Sequence, residues 1–201
     1  MALLTVACIV EGHGEVQAVP ILIRRLVAFA NPAVYADVQR PIRVPKSRLL
    51  SDGGLEDAVE LAVRGLRQPG FVLVIMDSDD SCPKELAHLV LARAERAAAD
   101  RRPVGVVLAN REFESWFIAA AESVAGHSGL RLDLIAPPDP ESIRGAKEWL
   151  RSHMLPGRTY SETIDQPSLA SQFDLNSARR ASSFDKMYRE VERFCNLAAT
   201  S

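Results

Sequence analysis

Residues 3–15 read LLTVACIVEGHGE, and residues 71–80 read FVLVIMDSDD. Each segment begins with an apolar run, which is typical of a strand buried on both faces of a parallel sheet. Both runs end in acidic residues: Glu11 and Glu15 after the first, and Asp77, Asp79 and Asp80 after the second. Because the carboxyl ends of neighbouring parallel strands meet at one edge of a sheet, we expect these acids to converge there.

Carboxylates brought this close repel one another, by about 4 kcal/mol for a pair ~4 Å apart at the effective dielectric of a protein surface. A divalent cation among them relieves the repulsion, and oxygen-only clusters suit Mg²⁺ or Mn²⁺. The sequence therefore predicts a metal site that uses Glu11, Asp77 and Asp79. Glu15 has a structural alternative, since an acid in the first turn of a helix is stabilised by the helix dipole.

The acidic loop after the second run also has a structural interpretation. Asp80 or Ser81 could cap a helix that begins near Pro83. Capping does not explain Asp77, which directly follows the strand. His13, between two glycines, is interpreted as an exposed loop residue, and the GHG turn is a weak candidate for a phosphate cradle because it lacks the lysine of a P-loop.

Elsewhere the chain alternates strand and helix patterns. Further strands are predicted at 41–45 and 104–109, and helices at 15–31, 55–66, 83–100 and from 112 onward. This alternation indicates an α/β fold, a Rossmann-like, mostly parallel sheet flanked by helices. Composition changes at the proline-rich segment 136–140, after which helices are predicted at 141–154, 167–173 and 184–198. We expect an α/β core at 1–125 and a helical extension at 126–201, packed on that core.

The composition excludes several classes of protein. The 201 residues are 47% hydrophobic and 25% charged, with a formal net charge of -2, as in ordinary globular proteins. The lack of a basic excess argues against a nucleic-acid coat protein but allows a local basic groove. Three widely spaced cysteines support neither a zinc site nor a disulfide framework. No secretion signal or membrane span is recognisable, so a cytoplasmic location is expected.

A third group of acids follows the strand at 104–109. Glu112 and Glu114 would point about 200° apart on a regular helix, so only one is expected to face the site, and Glu114 is preferred. Glu112 could equally belong to a solvated face. The aromatic stripe of Phe113, Trp116 and Phe117 is more typical of core packing than of base stacking.

Basic residues are scattered through the loops and the extension. The candidates for holding an anionic substrate are Lys46, Lys147, Arg179 and Lys186, with Arg48 and Arg180 as further surface cations. We expect the extension to fold over the acidic edge as a lid that carries these charges to a phosphate. The alternative is that most of them are solvated surface residues.

The motifs resemble known families. Val10-Glu11-Gly12-x-x-Glu15, followed by Asp77-x-Asp79 after an apolar strand, resembles the Toprim domain of topoisomerases, primases and overcoming-lysogenization-defect (OLD) nucleases. The Glu-x-x-x-Glu spacing is closest to the OLD type. The segments Arg111-Glu112-Phe113-Glu114-x-Trp116, Lys46-x-x-Leu49 and Ser183-Phe184 resemble a bacterial Toprim-like family, domain of unknown function 4276.

This resemblance implies a magnesium-dependent nuclease or phosphodiesterase. Glu11 would be a general acid/base or metal ligand, Asp77 and Asp79 would bind metal, and two further acids, Glu15 and Glu114, would complete a second metal position. Paired metals can activate water and stabilise the leaving oxygen in phosphodiester cleavage. OLD-type nucleases carry an ATPase domain that this sequence lacks, so a separate ATPase partner is expected, in a defence or repair system.

Two other interpretations stay open. The first is a non-catalytic Toprim-like module that binds nucleic acid or nucleotide, or that regulates an ATPase partner. The second is a phosphoacceptor resembling a response-regulator receiver, with Asp77 or Asp79 at the strand end. The receiver interpretation is disfavoured because it leaves Glu11 and Glu15 unexplained and because no lysine follows the strand at 104–109.

Overall fold

The computed structural model describes residues 2–67 and 69–199, which form an α/β fold around a five-stranded parallel sheet. The strands are β1 (Ala2–Val10), β2 (Val34–Val38), β3 (Ile42–Arg43), β4 (Gly70–Asp77) and β5 (Val104–Ala109). Their order is β2-β1-β4-β5, and β3 pairs with the end of β1 on the same side as β2. The predicted fold class, a Rossmann-like parallel sheet with a helical C-terminal segment, is confirmed.

The order of the strands determines where a ligand can enter. After β1 the chain moves to one side for β2 and β3, and then crosses to the other side for β4 and β5. The topological switch point therefore lies between β1 and β4. In the register of this pair Val10 lies opposite Ile75, so Glu11 and Asp77 leave the sheet side by side. Open α/β sheets bind their ligands in the crevice outside such a point.

Helices cover both faces of the sheet. They are α1 (Glu15–Ala30), α2 (Lys46–Leu50), α3 (Gly54–Gly65), α4 (Pro83–Ala98), α5 (Ser115–Ala119), α6 (Ala121–Val124), α7 (Ala146–Ser152), α8 (Glu162–Ala170), α9 (Leu175–Ala178) and α10 (Ser182–Ala199), with a 3-10 turn at Pro140–Ser142. Helices α3 and α4 pack on one face, and α1 packs on the other with α5 and the C-terminal helices. None of the described helices combines the length and hydropathy needed to cross a bilayer.

Strand alternation explains the two separate cores. Leu73 and Ile75 of β4 pack beneath α1 and α10, whereas Val72 and Val74 pack beneath α3 and α4. Successive side chains of a strand point to opposite faces, so a strand covered on both sides needs apolar residues at every position. This requirement accounts for the uninterrupted apolar runs in the sequence.

The C-terminal helices share the core of the sheet domain. Phe194 of α10 stacks on Phe71 of β4 with ring centroids 4.4 Å apart. Gly105 makes room for α10, because a Cβ there would lie 2.9 Å from the Phe194 ring and 3.1 Å from a carboxylate oxygen of Glu190. The segment predicted as an extension thus buries its apolar residues in the core beneath α1. The boundary at residue 125 remains a prediction.

The structure differs from the predicted elements in several places. Strand β2, with alternating buried and exposed residues, was not predicted, and the helix expected from residue 112 begins only at Ser115. Arg111 adopts a positive φ of 66°, and residues 113 and 114 form a turn before the helix. Gly145, with a φ of 73°, likewise shortens the helix predicted at 141–154 to α7. Helix α8 begins at Glu162, earlier than predicted.

The packing of α10 can be tested by removing one ring. We expect Phe194→Ala to lower the free energy of unfolding by about 3–5 kcal/mol, the usual cost of deleting a buried aromatic side chain. The exposed Arg189 on the same helix provides the control, since Arg189→Ala loses surface contacts with the carboxylate and the carbonyl of Asp185. Urea unfolding followed by circular dichroism measures both. Equal stabilities of the two variants would contradict this description of the core.

Candidate functional site

The turn after β1 is closed by Glu15. One oxygen of its buried carboxylate, which is only 3% exposed, accepts the main-chain N–H of Glu11 at 3.1 Å. The other lies beside Gly12. Burial raises the pKa of Glu15 to about 7; the N–H groups of Gly12 and Glu11 oppose the shift, and the charges of Glu11 and Glu114 add to it. Glu15 thus both shapes the turn and belongs to the acid cluster.

Asp77 connects the ends of three strands. Its main-chain N–H donates to Glu11 Oε2 at 3.3 Å, and its Oδ1 accepts the N–H of Phe113, in the loop after β5, at 2.8 Å. Burial raises the pKa of Asp77 well above its usual value, and the nearby acids Glu15 and Glu114 raise it further. The pKa of Glu11 is raised by burial too, against the opposing effects of the Asp77 N–H and of Lys46.

Glu114 is the most deeply buried acid of the group, with no exposed surface. Its Oε1 accepts hydrogen bonds from the hydroxyl of Tyr160 at 3.0 Å and from Nε2 of Gln166 at 2.7 Å. Its Oε2 is buried without a hydrogen-bond partner, and so is Oε1 of Gln166. Burial raises the pKa of Glu114, while Lys147 and the two hydrogen bonds oppose the shift. A buried carboxylate oxygen without a hydrogen-bond partner would be stabilised by a bound proton or cation.

Gly14 allows α8 to reach this cluster. A Cβ at this position would lie 2.2 Å from Oε1 of Gln166 and 2.5 Å from the carbonyl oxygen of Glu162. Since the second atom is main chain and cannot rotate away, any side chain here would push α8 off α1. Gly14, which ends the GHG turn, thus allows α8 to approach closely enough to hold Glu114.

Two lysines interact with the acids. Lys46 Nζ donates to Asp79 Oδ2 at 2.5 Å and to the carbonyl of Asp77 at 2.7 Å. Lys147 pairs with Glu162 at 3.1 Å. Burial by itself would lower the pKa of Lys147, but Glu114 and Glu162 raise it above its usual value. The ammonium group of Lys147 is therefore charged, and both lysines lie at the edge of the acid cluster.

Other predicted residues have different surroundings. The carboxylate of Glu112 accepts the N–H groups of Ala146 and Lys147 at 3.0 and 3.3 Å, and so holds the start of α7. Arg179 pairs with Asp185, and Lys186 pairs with Glu190. Among the described residues no contact joins Arg179 or Lys186 to the carboxylates, and their role in substrate binding stays a prediction.

The capping interpretation of the acidic loop is wrong. Helix α4 begins after Cys82 without a side-chain cap, so neither Asp80 nor Ser81 has that role. Asp80 instead pairs with Arg111 at 3.1 Å and with Arg144 at 2.7 Å. The acidic loop is thus tied to two other loops at the same edge of the sheet. His13 is exposed, as predicted.

The donor set suits a hard cation. In the described part of the chain, Glu11, Asp77 and Glu114 each keep one carboxylate oxygen to which no hydrogen bond is donated. Carboxylate oxygens are the ligands that Mg²⁺ and Mn²⁺ prefer. Over residues 2–67 and 69–199, however, no three acidic, histidine or cysteine side chains are arranged to coordinate one ion. The chemistry fits a metal, and binding would require side-chain rotation.

Tyr160 and Gln166 could not be found from the sequence. Neither follows a strand or belongs to an acidic motif, and they reach Glu114 from about 50 residues away in the chain, at separations of 46 and 52. The sequence feature most closely related to these contacts is Gly14, because the contact with Gln166 leaves no room for a side chain there.

The family model for the Domain of unknown function (DUF4276) matches residues 10–192, which include every carboxylate of the cluster. The chain belongs to this family. No curated protein and no solved structure matches it. The matched segment of the DUF4276 domain therefore contains the acid cluster, both lysines and the residues that hold Glu114.

The raised pKa of Glu15 predicts an unusual dependence of stability on pH. A carboxyl whose pKa is higher in the folded state stabilises the fold at low pH, and this contribution is lost as the pH rises through about 7. With EDTA present, the DUF4276 domain should lose up to about 3 kcal/mol from this group between about pH 5 and about pH 8. Glu15→Gln, which cannot ionise, should remove that part of the slope.

Urea titrations across this pH range measure the effect, with Glu85→Gln as a control on an exposed acid of α4. Identical pH dependence of the wild-type protein and Glu15→Gln would show that Glu15 ionises normally in the folded state.

Proposed function

We propose that this domain is a Toprim-like, metal-dependent phosphodiesterase that cleaves nucleic acid. The observation that carries the proposal is the group of three buried or half-buried carboxylates, Glu11, Asp77 and Glu114, at the switch point of the sheet. Each has one oxygen fixed by a hydrogen bond and one left free. A carboxylate held on one side and open on the other can turn its free oxygen towards a cation, and the protein itself does not neutralise it.

The balance of charge supports the same function. Within the described residues, five carboxylates interact with only two lysines, Lys46 and Lys147; the acids are those of Glu11, Glu15, Asp77, Asp79 and Glu114. At neutral pH the excess negative charge has to be compensated by bound protons or by metal ions. Burial raises the pKa of Glu11, Glu15, Asp77 and Glu114, so a proton and a metal ion would compete for these carboxylates. A divalent cation would replace these protons, and this competition is characteristic of carboxylate metal sites.

The protein residues have separable roles in hydrolysis of a phosphodiester. Glu11, half-buried and with a raised pKa, would accept the proton of the attacking water. The water oxygen forms a bond to phosphorus as the bond to the leaving sugar oxygen breaks, giving a phosphomonoester and a free hydroxyl. Lys46 and Lys147 would hold the non-bridging phosphate oxygens and stabilise the charge that develops on them.

Bound between Glu11, Asp77 and Glu114, Mg²⁺ or Mn²⁺ would polarise the phosphate and favour the ionised form of water. Glu15 would serve mainly to fix the turn that carries Glu11, because its Oε2 already accepts the Glu11 N–H. Asp79 is held by Lys46 with its side chain 61% exposed, so it could join the ligands only by exchanging partners.

The proposal includes the relationship to OLD-type nucleases and a separate ATPase partner in a defence or repair system. It rests on the resemblance of the Glu11, Glu15, Asp77 and Asp79 motifs, which the fold brings to one edge of the sheet. A cytoplasmic location is part of the same proposal and agrees with three unpaired cysteines, of which Cys8 and Cys195 are buried.

One observation favours the second candidate function, a non-catalytic module that binds nucleic acid or nucleotide. Asp79 is paired with Lys46, and the described acids are not yet arranged around one ion. A site that stays in this state would bind phosphate through Lys46 and Lys147 without hydrolysing it. Metal binding and cleavage, tested separately, distinguish the two functions.

Metal binding should stabilise the domain. If Mg²⁺ or Mn²⁺ binds only the folded state, a concentration of about 100 times Kd contributes about 2.7 kcal/mol. For a chain of this length we therefore expect a rise in Tm of roughly 5–10 °C. Asp77→Asn should abolish the rise while keeping the hydrogen bond from the Phe113 N–H. Differential scanning calorimetry measures both proteins, and a Tm that neither metal changes would argue against the site.

Cleavage should require Glu11. We expect the purified domain, tested alone and with an ATPase partner, to cut DNA or RNA only in the presence of Mg²⁺ or Mn²⁺. Glu11→Gln should lower the rate by about 100-fold or more, the usual contribution of a general base. Glu85→Gln is the control, because Glu85 is exposed on α4. Metal-dependent stabilisation without cleavage of any nucleic acid would favour the binding module.

A further inference from the structure

A groove of about 550 Å³ runs along the edge strand β5, on the flank of the sheet. Strand β5 forms its floor, α4 one wall and α10 the other. The floor side chains Val104, Val106 and Leu108 are apolar, and so are Ala87 and Leu91 on the α4 wall. None of the acids that form the proposed catalytic site lines this groove, and it has no role in the hydrolysis described above.

The main chain of β5 has an open edge in this groove. Among the described strands, β5 pairs only with β4, and the carbonyls of Pro103 and Ala109 accept hydrogen bonds on that side. The carbonyl of Val104 points the other way and accepts a hydrogen bond from Arg193 at 3.0 Å. Since the direction alternates along a strand, the N–H and C=O groups of Val106 and Leu108 face the groove.

Within the described chain, no hydrogen bond reaches these outward groups of Val106 and Leu108. Both residues are only 4–5% exposed, because α4 and α10 rise on either side. Buried main-chain donors and acceptors in natural proteins are nearly always paired. An extended chain lying about 4.8 Å from β5 would pair with all four groups, which an apolar small molecule could not do.

The side chains of the groove indicate what kind of chain fits. Its charged lining comprises Lys84, Lys186 and Arg193 against Glu95 and Glu190. Glu190 is paired with both Lys186 and Arg193, whereas Lys84 has no ion pair in the described residues. Apolar side chains of an added strand would meet α4, and the alternate side chains would meet the polar wall of α10. An acidic residue of the added strand, lying near the start of α4, would complement the charge of Lys84.

We propose that this groove binds an extended segment of a partner protein, which adds a sixth strand to the sheet beside β5. The segment has alternating apolar residues, and an acidic residue lies opposite Lys84. This mode of recognition combines main-chain hydrogen bonds for affinity with alternate side-chain pockets for specificity. The proposal is independent of the proposed catalysis, because the groove and the carboxylate cluster use different residues.

The test uses a pool of fluorescent peptides of about six residues, a typical strand length, with Val or Ile at alternate positions and mixed residues between them. Peptides selected on the full-length protein are resynthesised and titrated by fluorescence anisotropy. N-methylation of the amides that would pair with β5 should weaken binding by about tenfold or more, equivalent to one or two lost hydrogen bonds. Their side chains remain unchanged, so this comparison isolates main-chain pairing.

Two variants of α4 localise the binding. Ala87→Trp fills the groove and should abolish binding, whereas Ala92→Trp, an exposed position of the same helix outside the groove, should leave it intact. Circular dichroism confirms that both variants are folded. The proposal is overturned if no peptide of the pool binds, if N-methylated peptides bind equally well, or if Ala92→Trp weakens binding as much as Ala87→Trp does. Peptides with an acid near the α4 start should bind more tightly than their amide counterparts.

Discussion

The burial of Asp77 is the constraint on which the site depends. Its carboxylate accepts the N–H of Phe113 and its own N–H donates to Glu11, so the ends of β1, β4 and β5 are held together through one residue. A charged carboxylate in such a position is costly unless its charge is balanced. The protein supplies main-chain N–H groups and two lysines at the periphery, and this balance remains incomplete. The ends of the strands are thus firmly joined, whereas the negative charge of the carboxylates is not fully compensated.

This incomplete balance distinguishes the cluster from ordinary surface acids. On α3 and α4 the carboxylate of Glu56 meets Arg93 in a bidentate pair, and its pKa falls below the usual value. In the cluster the pKa values of Glu11, Asp77 and Glu114 rise instead. Raised pKa values in a crevice are typical of functional sites.

The sequence predicted the sheet and its acidic edge because both arise from local patterns. A buried parallel strand must be apolar at each position, as in β1 and β4, and an acid that follows directly marks the carboxyl end. The contacts of Tyr160 and Gln166 depend on how α8 packs on α1, which no local pattern encodes. Strand β2 was missed because its alternation over five residues is short and half exposed. The open edge of β5 likewise follows from strand order, which the sequence leaves undetermined.

The hydrogen bonds from Tyr160 and Gln166 give the C-terminal segment a thermodynamic influence on the acid cluster. Any movement of α8 away from α1 would change both the hydration of Glu114 and its hydrogen bonds, and hence its affinity for a proton or cation. Linkage is reciprocal, so a cation that bound at Glu114 would shift the equilibrium between the positions of α8 by the same coupling free energy. A partner that pulls on residues 160–166 would thereby adjust the ionic occupancy of the sheet edge without touching it.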